Sequence, residues 1–461
     1  MKAPSGLPVY PLISSQQMVQ YMWKYCMNLQ ATQVPCAIQF DERLDFKLLA
    51  RAVNIEIQRN DSLRLRVFKQ KGKIRQFFLD SFQLDKIVVK EFSSREAQEE
   101  YFNKIGETAL DIWHGETFRI IFFRSYNGKS GIFISASHVI MDGAASFIFF
   151  NDLMNVYDSL KNGTPLPKPM AKYEDCIKKE LGDERFLRRA AESNSVLSEW
   201  VSKNGSPVFC HLNGSKWLDR ERKLTFRKNL KIPAAYFPVM DKTRFVKLTL
   251  SPEDSKLISD YIEKNQYSPE WVLQLGFRIY LSKINHCDND MLFWVLCPRR
   301  KTVKEKHCGG TLASPVPWRE TLSPSQTFDG AVRQLAETQA FLYRHSDVPF
   351  TVIRSSELKL YHISPLKSAN TMMFSFFPLD EKTFGGRAYE YLGYSMGHYV
   401  MPLYTLTMKD TASGCYKFSY IHRLLFSSDE DVYAFHNGVV RALLAGVKSP
   451  DKTLEEISEE I

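Results

Sequence analysis

The chain has 461 residues, of which 44% are hydrophobic, 13% aromatic and 25% charged, with a formal net charge of +9. That length exceeds one ordinary core and suits two domains, and the composition excludes a disordered or low-complexity chain. No run approaches the ~20 apolar residues of a membrane helix, and Met1–Pro8 lacks the apolar region of a signal peptide, so the expectation is a cytoplasmic, monomeric protein without a membrane contact.

In chain order, strand and helix signals alternate. Residues 14–30 read as a capped helix, Val34–Phe40 as a strand, and Lys47–Arg59 as an amphipathic helix with Leu48, Leu49, Ala52, Val53 and Ile57 on one face. Leu63–Phe68 and Lys73–Leu79 read as a strand pair around Gln70-Lys-Gly72, and Glu96–Leu110 as a helix. Phe118–Arg124 and Gly131–Ser137 form a hairpin about the turn signal Asn127-Gly128, followed by a helix over 144–160. Residues 162–169 are a Pro-rich loop, and the charged segment 177–222 reads as a crossover. Beyond it, Pro252–Asn265, Pro269–Ile284, Phe328–Tyr343 and Asp429–Gly446 read as helices; Met291–Cys297, Thr371–Phe377, Leu403–Lys409 and Cys415–His422 read as strands. The acidic tail 451–461 is expected to be disordered. The division is an N-terminal lobe over 1–175 and a C-terminal lobe over 176–461 that includes the crossover.

Eight cysteines stand at 26, 36, 176, 210, 287, 297, 308 and 415 without a Cys-x-x-Cys pair, which reads as reduced, packed thiols. His286-Cys287 and His307-Cys308 lack metal-ligand spacing, so no metal is expected. Lysines and arginines gather at 219–231 and 299–306. These are either solvated faces or sites for an anionic partner. Nothing resembles a nucleic-acid module.

The stretch Ser137-His-Val-Ile-Met-Asp-Gly143 sets one imidazole at the mouth of a strand, an Asp four residues on, and a Gly that permits a tight turn. A strand-end His suits general-base work, because imidazole titrates near neutral pH. Asp142 is either a helix N-cap or part of the site. The Gly-Lys-Ser at 128–130 is no phosphate loop, because Phe123 stands where its first Gly should be. No Gly-x-Ser-x-Gly elbow offers a covalent serine.

The pattern His-x-x-x-Asp-Gly resembles the core of the condensation-domain superfamily, whose members include condensation domains of nonribosomal peptide synthetases and alcohol or polyketide O-acyltransferases. Tyr10-Pro-Leu-Ile-Ser-Ser-Gln-Gln17 resembles the family's opening "P-L-S-x-x-Q". Leu44-Asp45, Leu48, Ala52 and Arg59-Asn-Asp-Ser-Leu-Arg-Leu-Arg-Val-Phe68 are similar to "L-D…L…A…R-H-x-x-L-R-T-x-F". Pro298-Arg299, Gly309-Gly310 and Pro315-Val-Pro-Trp-Arg319 resemble "G-R…G…N-x-L-P-L-R", and His345-Ser-Asp-Val-Pro-Phe350 resembles "H-Q-x-x-P-F".

The resemblance implies an α/β fold of two chloramphenicol-acetyltransferase-like lobes arranged as a V, with the His at a tunnel between them. It implies a stand-alone condensation-type acyltransferase joining a thioester-bound acyl or aminoacyl group to a small-molecule amine or alcohol. The donor would be a phosphopantetheine thioester, on a carrier protein or coenzyme A, with no bound cofactor. The alternatives are an alcohol O-acetyltransferase-like enzyme using acetyl-coenzyme A, and a non-catalytic recruitment module. By the same resemblance His138 is the base or positioning group, the backbone N–H near Gly143 is an oxyanion donor, and Asp142 is structural, paired with Arg64, with Arg299 or Arg66 next in line. Peptide-forming members usually carry a second His where Ser137 stands, so Ser137 is read as a non-essential neighbour. No carrier, adenylation or thioesterase motif is present, so donor and acceptor are expected to arrive in trans.

Overall fold

The computed structural model describes residues 3–207, 209–232, 241–286, 290–367, 369–370, 372–378 and 383–461. The chain packs into two compact units: Met1–Leu187 with Pro298–Ser314 and Asp380–His398, and Arg188–Cys297 with Pro315–Leu379 and Tyr399–Ile461. A single boundary after residue 175 misses this arrangement, because two later segments return to the first unit. Local composition carries no mark of such returns.

In the first unit a five-stranded sheet runs in the order Glu390–Gly393, Gln33–Phe40, Ser130–Ser137, Phe118–Arg124, Val88–Glu91. Its pairs are antiparallel except the last, which is parallel. The hairpin forms where its turn residues demand it: Gly128 adopts φ +82°, and its N–H donates to Ser125 O at 2.9 Å. The strand Ser130–Ser137 is buried throughout, on both faces. Ile132, Ile134 and Ala136 face the main core, together with Leu49, Val53, Phe149 and Leu153 from the helices Phe46–Arg59 and Gly143–Asn162. Phe133 faces the other way and stacks on Phe102 at 4.5 Å between ring centroids. Asp45 starts the first of those helices by accepting from the N–H groups of Lys47 and Leu48, at 2.8 and 3.2 Å. A smaller sheet orders Tyr10–Pro11, Lys73–Phe78 and Leu65–Gln70.

The second unit holds a six-stranded sheet in the order Ser314–Thr321, Asp290–Cys297, Met372–Phe377, Leu403–Lys409, Tyr416–Arg423, Thr243–Thr249. Among its helices, Pro252–Asn265 and Pro269–Asn285 both begin with a Ser N-cap and Pro at the first turn. The charged segment 177–222 is largely helical: Tyr173–Gly182 lies in the first unit, Glu184–Ser202 spans the boundary after Leu187, and Lys216–Thr225 belongs to the second. Ser314–Thr321 carries two prolines, which disguises a strand in sequence; it is tolerated because this strand is the sheet's edge. The strands Thr243–Thr249 and Glu390–Gly393 and the helix Phe350–Leu360 are further elements the sequence reading lacks. The expected strand at 371–377 is seen as Met372–Phe377, Thr371 lying outside the described residues.

The expected disorder of the tail is corrected. Leu454–Glu460 is a helix opened by a capping box between Thr453 and Glu456, with Leu454 and Ile457 buried. Among the described residues no helix is long and apolar enough to cross a membrane.

Candidate active site

The site grows from the end of the strand Ser130–Ser137. His138 N donates to Thr32 O at 2.7 Å, Gln16 Nε2 donates to Val139 O at 3.0 Å, and Thr311 Oγ1 donates to His138 O. The backbone carrying the imidazole is thus pinned from three other segments. The side chain is freer: the residue is half-buried, and its Nδ1 is buried without a hydrogen-bond partner among the described residues. Burial pushes the imidazole pKa below its usual 6.5, against the opposing pull of the Asp142 charge and the Met141 backbone. A ring with that balance is neutral at pH 7 and able to accept a proton.

Asp142 is fully committed elsewhere. It is the N-cap of the helix Gly143–Asn162, its Oδ1 accepting from Ala145 N at 2.8 Å. Its Oδ2 accepts from Leu312 N at 2.8 Å and Ala313 N at 2.9 Å, and Arg300 donates to Oδ1 at 3.0 Å. Burial alone would raise this carboxyl, but Arg300 and the three backbone donors hold it below the usual carboxylate value. Both sequence readings of Asp142 hold together, since it caps the helix and locks the loop beneath His138. Arg300 in turn gathers the strap that supplies those donors, donating to Glu305 O at 2.7 Å, Cys308 O at 2.8 Å and Gly310 O at 3.0 Å. Gly310, at φ +80°, pairs with Met141 in an isolated parallel bridge, and a Cβ there would lie 2.2 Å from the Tyr173 ring.

The expected Arg64–Asp142 pair does not form. Arg64 turns to the end of the helix Phe46–Arg59, donating to Ile57 O at 2.7 Å and Gln58 O at 2.6 Å, and to Leu79 O at 2.9 Å. The terminal carbonyls of a helix attract a cation, and Arg64 lies one short turn beyond them. The two runners-up are also occupied. Arg299 pairs with Glu180 at 3.3 Å, and Arg66 donates to Leu63 O and Leu65 O with its guanidinium over the Phe82 ring. Sequence reasoning misses Arg300 because it cannot tell which of two adjacent arginines reaches Asp142.

Ser137 is buried, and its hydroxyl accepts from Val139 N at 3.4 Å. Gly143 is the first helical residue, where N–H groups have no acceptor within the helix. Of the two His-Cys pairs set aside as metal ligands, His307 bonds through Nδ1 to Val303 O at 2.8 Å, while Cys287 lies outside the described residues.

With this geometry in view, comparison with known proteins is informative. Residues 8–191 match the Condensation domain family. The matched span contains His138, Asp142 and Gly143. A plipastatin synthase polypeptide of Bacillus subtilis (strain 168) is 20% identical over 97% of this chain, but the chain spans only 17% of that protein's length. The condensation domain of the Monacolin K polyketide synthase MokA superposes with a TM-score of 0.79 at 15% identity, covering 97% of this chain and 99% of that one. A variant of the starter condensation domain of rhizomide synthetase RzmA, solved with C8-CoA, gives 0.77 at 13% identity over 97% and 96%. The fold is that of condensation domains, the chloramphenicol-acetyltransferase-like fold.

Proposed function

We propose that this chain is a condensation-type acyltransferase that joins a thioester-bound acyl or aminoacyl group to an amine or hydroxyl, with His138 taking the nucleophile's proton. The observation that carries the reading is the contrast within the motif: a half-buried, neutral imidazole stands on a loop whose aspartate is wholly engaged in holding it. The nucleophile adds to the thioester carbonyl as its proton passes to His138. The resulting oxyanion is met by the N–H near Gly143 at the start of a 20-residue helix, where the helix dipole favours negative charge. Collapse expels the thiolate, which takes the proton back from the imidazolium.

The donor is a phosphopantetheine thioester, carried by an acyl or peptidyl carrier protein or by coenzyme A. The complex of the rhizomide domain with C8-CoA supports a coenzyme A-type donor. Incubating the chain with octanoyl-coenzyme A or an octanoyl carrier protein, and a panel of amines and alcohols, tests the reading by mass spectrometry. An amide or ester product is expected, and its loss in His138→Ala. Transfer confined to acetyl-coenzyme A and alcohols would favour the O-acetyltransferase alternative. No product with any donor would leave the recruitment module.

A further inference from the structure

Beneath the strap that clamps Asp142, two thiols meet across 132 residues of sequence: Cys176 Sγ and Cys308 Sγ are 3.5 Å apart. Cys308 is fully buried on the strap, while Cys176 is half-buried on the helix Tyr173–Gly182. The two segments are registered locally by the parallel bridge between Ala171 and Cys308. Arg300 lies against the pair, its guanidinium 3.7 Å from Cys308 Sγ. A disulfide needs the sulfurs to close by only about 1.5 Å from this separation.

We propose that Cys176 and Cys308 form a reversible disulfide when the protein meets a peroxide or a small-molecule disulfide, stapling the helix Tyr173–Gly182 to the strap that carries Arg300. The assignment of the two sulfurs to roles follows from their surroundings. The contact between them lowers the Cys176 thiol below its ordinary value and raises that of Cys308. Cys176 is also the sulfur nearer solvent, and therefore the attacking thiolate. With hydrogen peroxide it breaks the O–O bond, giving a sulfenic acid and one water. The Cys308 sulfur then displaces the sulfenic oxygen, which leaves as a second water. Two thiols lose two electrons and two protons, and the peroxide gains both.

Disulfide formation does not depend on the acyl-transfer reading, and testing it needs no substrate. The full chain is treated with hydrogen peroxide or glutathione disulfide, digested without reductant and mapped by mass spectrometry. The expected result is one linked peptide pair joining positions 176 and 308, lighter than its free peptides by two hydrogens and separated again by dithiothreitol. The oxidised protein should melt several degrees higher than the reduced one, since a link closing so long a loop restrains the unfolded chain. Cys176→Ser, at a half-buried position, should abolish both the pair and the shift. Cys176 found only as a sulfinic acid or a glutathione adduct, with Cys308 unlinked, overturns the proposal. So does a temperature shift that survives in Cys176→Ser.

Discussion

Each unit carries a histidine at the end of a core strand just before a capped 20-residue helix, and the two are used in opposite ways. In the first unit, Ser130–Ser137 leads through His138 to the Asp142 cap and the helix Gly143–Asn162. In the second, Tyr416–Arg423 contains His422 and leads to the Ser428 cap and the helix Asp429–Lys448. His422 sits in a Ser–His–Asp line, with Nδ1 at 3.0 Å from Ser427 Oγ and Nε2 at 2.9 Å from Asp429 Oδ1, and no part of its side chain reaches solvent. That line is the arrangement usually sought in a hydrolase, yet both ring nitrogens are taken up by it. Among the described residues His138 has no such partner on Nδ1, and the residue is only half-buried. A fully buried histidine whose ring nitrogens are both bonded internally stabilises a turn; one that is only half-buried can still meet a substrate.

The contrast meets its severest test at His138. Substitution by Ala should cut turnover by about 10²–10⁴-fold with little change in melting temperature, because the half-buried ring contributes little to the core. Retention of more than about a tenth of wild-type turnover, measured with the donor that proves active, would remove His138 from the chemistry.

Next in size are the residues beneath it. Arg300→Ala or Asp142→Asn should each cost about 3–5 kcal/mol by leaving a buried charge or its donors unpaired. Chemical denaturation of the double variant should show less than the sum of the two losses, since both delete one interaction. The cycle of Asp142→Asn with Arg64→Ala should instead be additive. A coupled Arg64 cycle with an additive Arg300 one would reverse the pairing described above.

His422→Ala should cost about 1–3 kcal/mol, the penalty for stranding its buried partners, and leave turnover at the wild-type level. Burial lowers the pKa of His422, and pushes those of His211 and His436 down to about 4. The unfolded chain therefore binds more protons than the native one below pH ~6.5, so stability should fall from there towards pH ~4. An equilibrium unfolding series against pH checks this, and His422→Ala should make the fall shallower. The smallest effect belongs to Ser137→Ala, which should change turnover by less than about tenfold. A loss comparable to that of His138→Ala would bring Ser137 into the chemistry.

Much of this is legible in the sequence, and the gaps have physical causes. Apolar, β-prone runs over 118–124 and 131–137 with Asn127-Gly128 between them locate the hairpin, and the Asp-Gly after His138 locates the cap of the following helix. The partner of Asp142 is not legible. Arg299 and Arg300 are adjacent, and Arg299 adopts a left-handed φ of +52° that breaks any simple alternation, leaving both side chains buried. The one available signal is Gly309-Gly310: Gly310 is the residue that lets the strap pass over Tyr173. The tail helix escapes for a different reason. Thr453-x-x-Glu456 is a capping-box pattern, but the acidic composition around it outweighs that signal.

The return of residues 298–314 and 390–393 to the first unit sets the order in which the molecule can be built. As the chain is synthesised, the strand Gln33–Phe40 waits for its neighbour Glu390–Gly393, more than 350 residues downstream, and until then presents an open sheet edge. Asp142 likewise stays unmatched until Arg300 has been added. The first unit therefore cannot mature as an N-terminal body ahead of the rest, and a fragment ending near residue 187 lacks both its edge strand and its internal counter-charge. Long-range pairings of this kind slow folding, so the nascent chain depends on keeping that edge covered while the second half emerges.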